Sequence, residues 1–164
     1  MKYILLPFLL TCATLYTGYS QSKSQTIEFI HSYCGKGVGQ VLNKVNEYGD
    51  YELRQVQINL SGSYEIYQWG TFLGEEETTT FSGYLKNLDP SSVKIEKTWG
   101  GNWIVLVDCT NNKECVAQVT VPSNRRAQSF RTCFGIFRTT TEANKVRDAL
   151  KHLITLFGGK KSLF

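Results

Sequence analysis

From Tyr51 to Arg138 the apolar residues recur at every second position, and this spacing restricts the chain more than any other feature. Side chains on a strand alternate between two faces, so the spacing marks strands with one face buried. Val56, Ile58 and Leu60 alternate with Gln55, Gln57 and Asn59, which directs the first three toward a core. Ser61-Gly62 then signals a turn. Further strands are expected at 63–73, 76–85, 92–98, 102–109, 115–121 and 127–137. Gly74, Asp89-Pro90, Gly100-Gly101 and Pro122-Ser123-Asn124 supply most of the breaks between them. About seven short strands with short connections imply antiparallel pairing.

A different period follows. Over 140–157, Ala143, Val146, Leu150, Leu153, Ile154 and Phe157 form one helical stripe, while Asn144, Lys145, Arg147, Asp148 and Lys151 face away. Thr139 and Glu142 fit a capping box, and Gly158-Gly159 supplies the left-handed stop. A second helix is expected over 26–47 from Ile27, Ile30, Cys34, Val38, Val41 and Val45. Gly35, Gly37 and Gly39 weaken it, each by roughly 1 kcal/mol against alanine, and a break is expected near Gly35.

A helix with one apolar stripe must bury it, and the sheet is the partner available. The expected class is α+β. The order of elements, strands closed off by one C-terminal helix, resembles the pleckstrin-homology-like barrel, with the N-terminal helix outside that pattern. An open sheet with both helices on one face is the other arrangement these elements allow.

The chain opens with Met1, Lys2 and Tyr3, then the apolar run Ile4 to Leu10, with Gly18 and Ser20 at small-residue positions. This is the pattern of a secretory signal cleaved before Gln21. A retained membrane anchor would need about 20 mostly apolar residues, and Thr11, Thr14, Thr17 and Gly18 dilute the stretch. Leu9-Leu10-Thr11-Cys12 loosely resembles a bacterial lipobox, which leaves lipid attachment at Cys12 as a third alternative. With 1–20 as signal, residues 21–164 form a single domain, because no repeat or proline-rich linker divides them. That domain carries 17 basic and 14 acidic residues, a formal charge of +3. Only Arg125-Arg126 and Lys160-Lys161 adjoin, reading as a loop and a tail, and nucleic acid is not an expected partner.

Cys109 and Cys115 flank a polar segment of five residues. If they face each other across a hairpin, Val107 meets Ala117, Val105 meets Val119, and Trp103 meets Val121, all on one face. Directly opposed residues lie about 4.5 Å apart at Cα, within disulfide range. A disulfide is therefore expected here, the alternative being two buried thiols. Strand alternation sets Phe130, Phe134 and Ile136 on one face of the last strand and Cys133 on the other. A Cys34–Cys133 bond is open if the first helix covers that second face.

The chain offers few groups for chemistry. His31 and His152 are its only histidines, and neither has ligands at metal-binding spacing, so no metal or cofactor is expected. His31 and Cys34 share a helical face, but a Cys–His nucleophile also requires an orienting group and oxyanion donors. Gly35-Lys36-Gly37-Val38-Gly39 lacks the Gly-Lys-Ser/Thr end of a phosphate loop. Glu75-Glu76-Glu77 reads as a solvated strand edge. Asn59-Leu60-Ser61 fits a glycosylation sequon. Tyr64, Tyr67, Trp69 and Phe72 crowd one strand and must occupy both its faces, and Trp99 and Trp103 bracket a turn. Core packing accounts for most such rings, and any surplus forms an exposed aromatic patch.

The segment Thr141 to Gly159, the Cys109/Cys115 pair and Leu88-Asp89-Pro90-Ser91-Ser92-Val93 are similar in style to uncharacterised exported proteins of Bacteroidota-type bacteria. The resemblance implies a periplasmic, surface or secreted protein and assigns no catalytic residue. The expected role is a non-catalytic exported or envelope-associated module. It would bind a protein or small ligand at the aromatic patch, without a transmembrane segment in its mature form. The alternative is a hydrolytic or other enzyme with an unrecognised site.

Overall fold

Strand alternation and helical stripe both find their counterparts in the computed structural model, which describes residues 22–42, 51–72 and 74–160. The expected signal over 1–20, with Cys12, and also Gln21 and Val45 lie outside the described residues. Among the described residues nine antiparallel strands form two open sheets, and the fold is α+β with an N-terminal and a C-terminal helix. The larger sheet runs β1 (Val41–Leu42), β2 (Tyr51–Ile58), β3 (Ser63–Phe72), β4 (Glu75–Tyr84), β7 (Val116–Val121), β8 (Arg125–Ser129). The smaller holds β5 (Lys94–Lys97), β6 (Trp103–Asp108) and β9 (Arg131–Phe137), with β6 in the middle. Among the described residues no barrel closes, and the strands divide between two open sheets rather than forming one.

Helix α1 (Lys23–Lys36) starts earlier and stops sooner than its apolar spacing suggests. Ser22 and Gln25 form a reciprocal capping box that satisfies two free N–H groups at its start. It ends at Gly37, whose Cα lies against the Ile136 carbonyl; a built Cβ would stand 2.2 Å from that oxygen. Val38 is exposed, and Val41 has already entered β1. Helix α2 (Thr140–Leu156) matches the expected span closely. The Thr139 hydroxyl accepts from the Glu142 N–H, and Gly158 takes the left-handed conformation at φ +85° that glycine tolerates best.

Ala143, Val146, Leu150, Leu153 and Ile154 of α2 are fully buried. Burial of each larger aliphatic chain contributes roughly 1.5–3 kcal/mol, so packing rather than helix propensity holds this element. It lies against α1, β5, β6 and β9, while α1 also touches β2 and β9. The Tyr64 and Phe134 rings, centroids 4.9 Å apart, join the two sheets. Their neighbours Leu53, Ile66, Val105, Val107 and Ile136 complete one core cluster between sheets and helices.

Three expectations about the strands differ from the structure. Leu60 belongs to a turn, not a strand, and is 70% exposed, because Asn59 and Gly62 hydrogen-bond across 59–62 after β2 ends at Ile58. The expected strand 127–137 is two strands in different sheets. Ser129 breaks it, its hydroxyl accepting from the Arg131 N–H and donating to the Arg131 carbonyl, and Phe130 turns outward instead of joining Phe134 and Ile136. The third correction concerns the cysteine hairpin. The sulfurs of Cys109 and Cys115 stand at bonding distance, 2.03 Å, with Cα atoms 5.9 Å apart. Yet β6 pairs with β5 and β9, whereas β7 pairs with β4 and β8. Val107, Val105 and Trp103 therefore never meet Ala117, Val119 and Val121. The bond ties the crossover between sheets rather than the end of a hairpin.

Candidate functional site

The corrected register turns β7 over. An apolar face built from Ala117, Val119 and Val121 was expected to enter the core, but Val116 and Thr120 are buried while those three are exposed. Val119 is 36% and Val121 50% exposed. Thr120 is satisfied in its buried place because its hydroxyl shares a 3.1 Å hydrogen bond with that of Thr79 on β4. Both cross-strand partners are threonines, so inward burial costs no unmade hydrogen bond.

Opposed residues in antiparallel strands share a face, and the ladder shows what surrounds these valines. One row runs Trp69, Thr78, Val121, and the next runs Gln55, Tyr67, Thr80, Val119, Arg126. Two aromatic rings and two valines thus occupy one patch on β3, β4 and β7. Tyr64 and Ile66, which point the other way from β3, are buried at 1% and 0%. The core and both helices lie on that inner side, leaving Tyr67 and Trp69 half-buried on the outer one. The Arg54 guanidinium stands over the Trp69 ring at 5.1 Å from its centroid. The Tyr67 hydroxyl donates to the Glu65 carboxylate, and this bond raises the phenol's pKa. Both contacts hold their rings in place, so the patch is preorganised.

Not every aromatic joins it. Trp99 stands apart in its turn at 84% exposure, and Trp103 packs partly into the core. Phe72 lies at the far end of β3, opposite Glu75.

The groups weighed for chemistry are scattered. The His31 imidazole accepts a 2.9 Å hydrogen bond at Nε2 from the Ile58 N–H, a structural role at the end of β2. Burial holds its pKa below the usual histidine value. Cys34 is buried, its thiol donating to the Phe134 carbonyl at 3.1 Å, and desolvation with the neighbouring Cys133 pushes its pKa far up. A thiol held protonated in this way is a poor nucleophile. No disulfide joins Cys34 to Cys133, although α1 does cover β9 as a bond between them would require. The Tyr64 hydroxyl is buried and has no hydrogen-bond partner among the described residues.

Glu77, expected on a solvated edge, is 5% exposed and pairs with Arg125 of β8. Among the described residues no group of three or more His, Cys, Asp or Glu could hold a metal ion. No described helix is long and apolar enough to cross a membrane.

Sequence reasoning found Tyr67 and Trp69 but missed Val119 and Val121. Alternation in β7 assigns the valines inward, and only the run Thr78-Thr79-Thr80 hints that a neighbouring strand could receive Thr120 instead. In searches of family models, curated proteins and solved structures, nothing matches this chain.

Proposed function

We propose that this chain is a non-catalytic, exported binding module that engages a partner through the outer face of its six-stranded sheet. The observation that carries the reading is the inversion of β7. A strand that buries Thr120 and exposes Ala117, Val119 and Val121 runs against the transfer free energy of its own side chains. Buried polar and exposed apolar groups are the informative exceptions to ordinary burial, and contiguous exposed patches accompany interaction sites. Here the exception falls beside Tyr67 and Trp69, residue types that dominate binding hot spots. Export is supported by the leader-like run Ile4 to Leu10 and by a Cys109–Cys115 pair that would persist in an oxidising compartment.

The test is complementation of a deletion strain with two folded sets of variants. The first, Tyr67→Ala with Trp69→Ala, should lose function, since truncating a hot-spot ring costs about 2 kcal/mol or more in binding. The second combines His31→Gln, His152→Gln and Cys34→Ser. It should retain function, whereas an enzyme relying on histidine acid–base chemistry would lose about 10²–10⁴-fold in rate. The reverse result would replace the binding reading with a catalytic one.

A further inference from the structure

At the end of the molecule where β3 begins and β4 ends, three distant segments enclose an open cleft of about 530 Å³. One wall is the 3-10 turn after β4, another the disulfide loop, and the third the residues following α2. Each wall contributes one lysine: Lys86, Lys113 and Lys160. Glu114 is the only carboxylate in the lining, so the cleft carries a net charge of +2 from three lysines and one glutamate. The cleft shares no residue with the patch of Tyr67 and Trp69.

We infer that this cleft is a binding site for a small molecule bearing a phosphate or sulfate ester. Like charges gathered in one concavity repel, and an anion between them relieves that repulsion. The lining holds lysines and no arginine. An ammonium is a compact charge with three rotatable donors, and lysines bind phosphate as point charges whose donors can turn toward the oxygens of a tetrahedral oxyanion. The volume lies within the range of about 300–1,000 Å³ usual for small-ligand sites.

Asn87 adds a neutral amide suited to a sugar hydroxyl, and Phe157 adds a ring over which the Lys23 ammonium stands, 4.3 Å from its centroid. Two of the walls are joined. The Cys109–Cys115 bond closes the base of the loop, and the Thr110 hydroxyl donates to the Lys160 carbonyl at 3.4 Å, linking loop to tail. Phe157 is seated against Gly62, where a built Cβ would stand 2.6 Å from the ring. Gly62 itself has φ +83°.

The experiment titrates the oxidised, full-length mature protein with glucose 6-phosphate, glucose 6-sulfate and uncharged glucose, followed by amide chemical shifts. Shifts centred on Lys86, Lys113 and Lys160 with one or both esters, and none with glucose, are expected. The ester that binds identifies the natural anion, and binding of both assigns the site to either. Lys113→Glu with Lys160→Glu should weaken ester binding by about tenfold or more, as reversal of two contacting charges requires. Lys97→Glu, an exposed lysine on β5, should leave it unchanged. The inference fails if neither ester shifts these residues at about 10 mM. Glucose binding as well as the esters, or Lys97→Glu weakening binding as much as the cleft variants, would also overturn it.

Discussion

His31 accepts the Ile58 N–H at Nε2 only while that nitrogen is unprotonated, so the folded chain favours the neutral ring. Burial works in the same direction and lowers its pKa from the ordinary 6.5. The sign of the linkage follows. Below pH 6.5 the unfolded chain takes up a proton that the folded one resists, so stability rises with pH through this range and falls on acidification. Above it, His31 contributes no slope. Denaturant midpoints between about pH 7.5 and 5 should therefore decline for the wild type and decline less for His31→Gln, whose side-chain oxygen can accept the same bond at any pH. Parallel profiles would show that the Ile58 contact does not govern the titration. The sequence placed His31 on a helical face shared with Cys34 and gave no sign of the strand it meets. Its partner lies 27 residues away, in a strand whose end was itself misplaced by two residues at Leu60.

Helix α2 was the most legible element because its stripe, its cap and its stop are local and agree with one another. Leu150 sits at the centre of that stripe with no exposed surface. Leu150→Asp would bury a carboxylate with no opposite charge designed to meet it, a cost of several kcal/mol set against a domain stability of about 5–15 kcal/mol. The variant should be largely unfolded by circular dichroism, while Asp148→Ala, which removes only the exposed Arg147 pair, should shift the midpoint by less than about 0.5 kcal/mol. Equal damage from both would mean that α2 is docked by a different face. Strand β7 shows the opposite case. Ala117, Val119 and Val121 make a cleaner apolar face than Val116, Gln118 and Thr120, yet the second set points inward. Its burial depends on Thr79, a residue 41 positions away that supplies the hydroxyl partner. A two-residue period shows that one face is buried and leaves open which one, once the choice rests on a neighbour not yet identified.

Across the whole molecule, class and helix–sheet packing were readable, whereas the division into two sheets was not. Pairing of distant strands is a long-range choice, and Ser129–Arg131, the point where the chain leaves one sheet for the other, carries no glycine or proline to announce it. The cysteines were placed correctly for a reason that did not hold, and that difference can be measured. In a hairpin the Cys109–Cys115 bond would join strands already held by a ladder. In the observed fold Asp108 ends a strand of one sheet, Val116 begins a strand of the other, and the bond closes the connection between them. With a separation of six residues, the loop-entropy model gives a contribution of about 2 kcal/mol. Cys109→Ser with Cys115→Ser should lower stability by roughly that amount and leave the fold intact. Amide exchange should then rise around the crossover, where Cys109 donates to the Phe130 carbonyl and Cys115 to that of Ser129. The β6–β9 and β4–β7 ladders, each complete without the bond, should keep their protection. Matched loss of protection along β6 and β7 together would mean that the two strands rely on each other as a hairpin does, and the two-sheet topology would have to be redrawn.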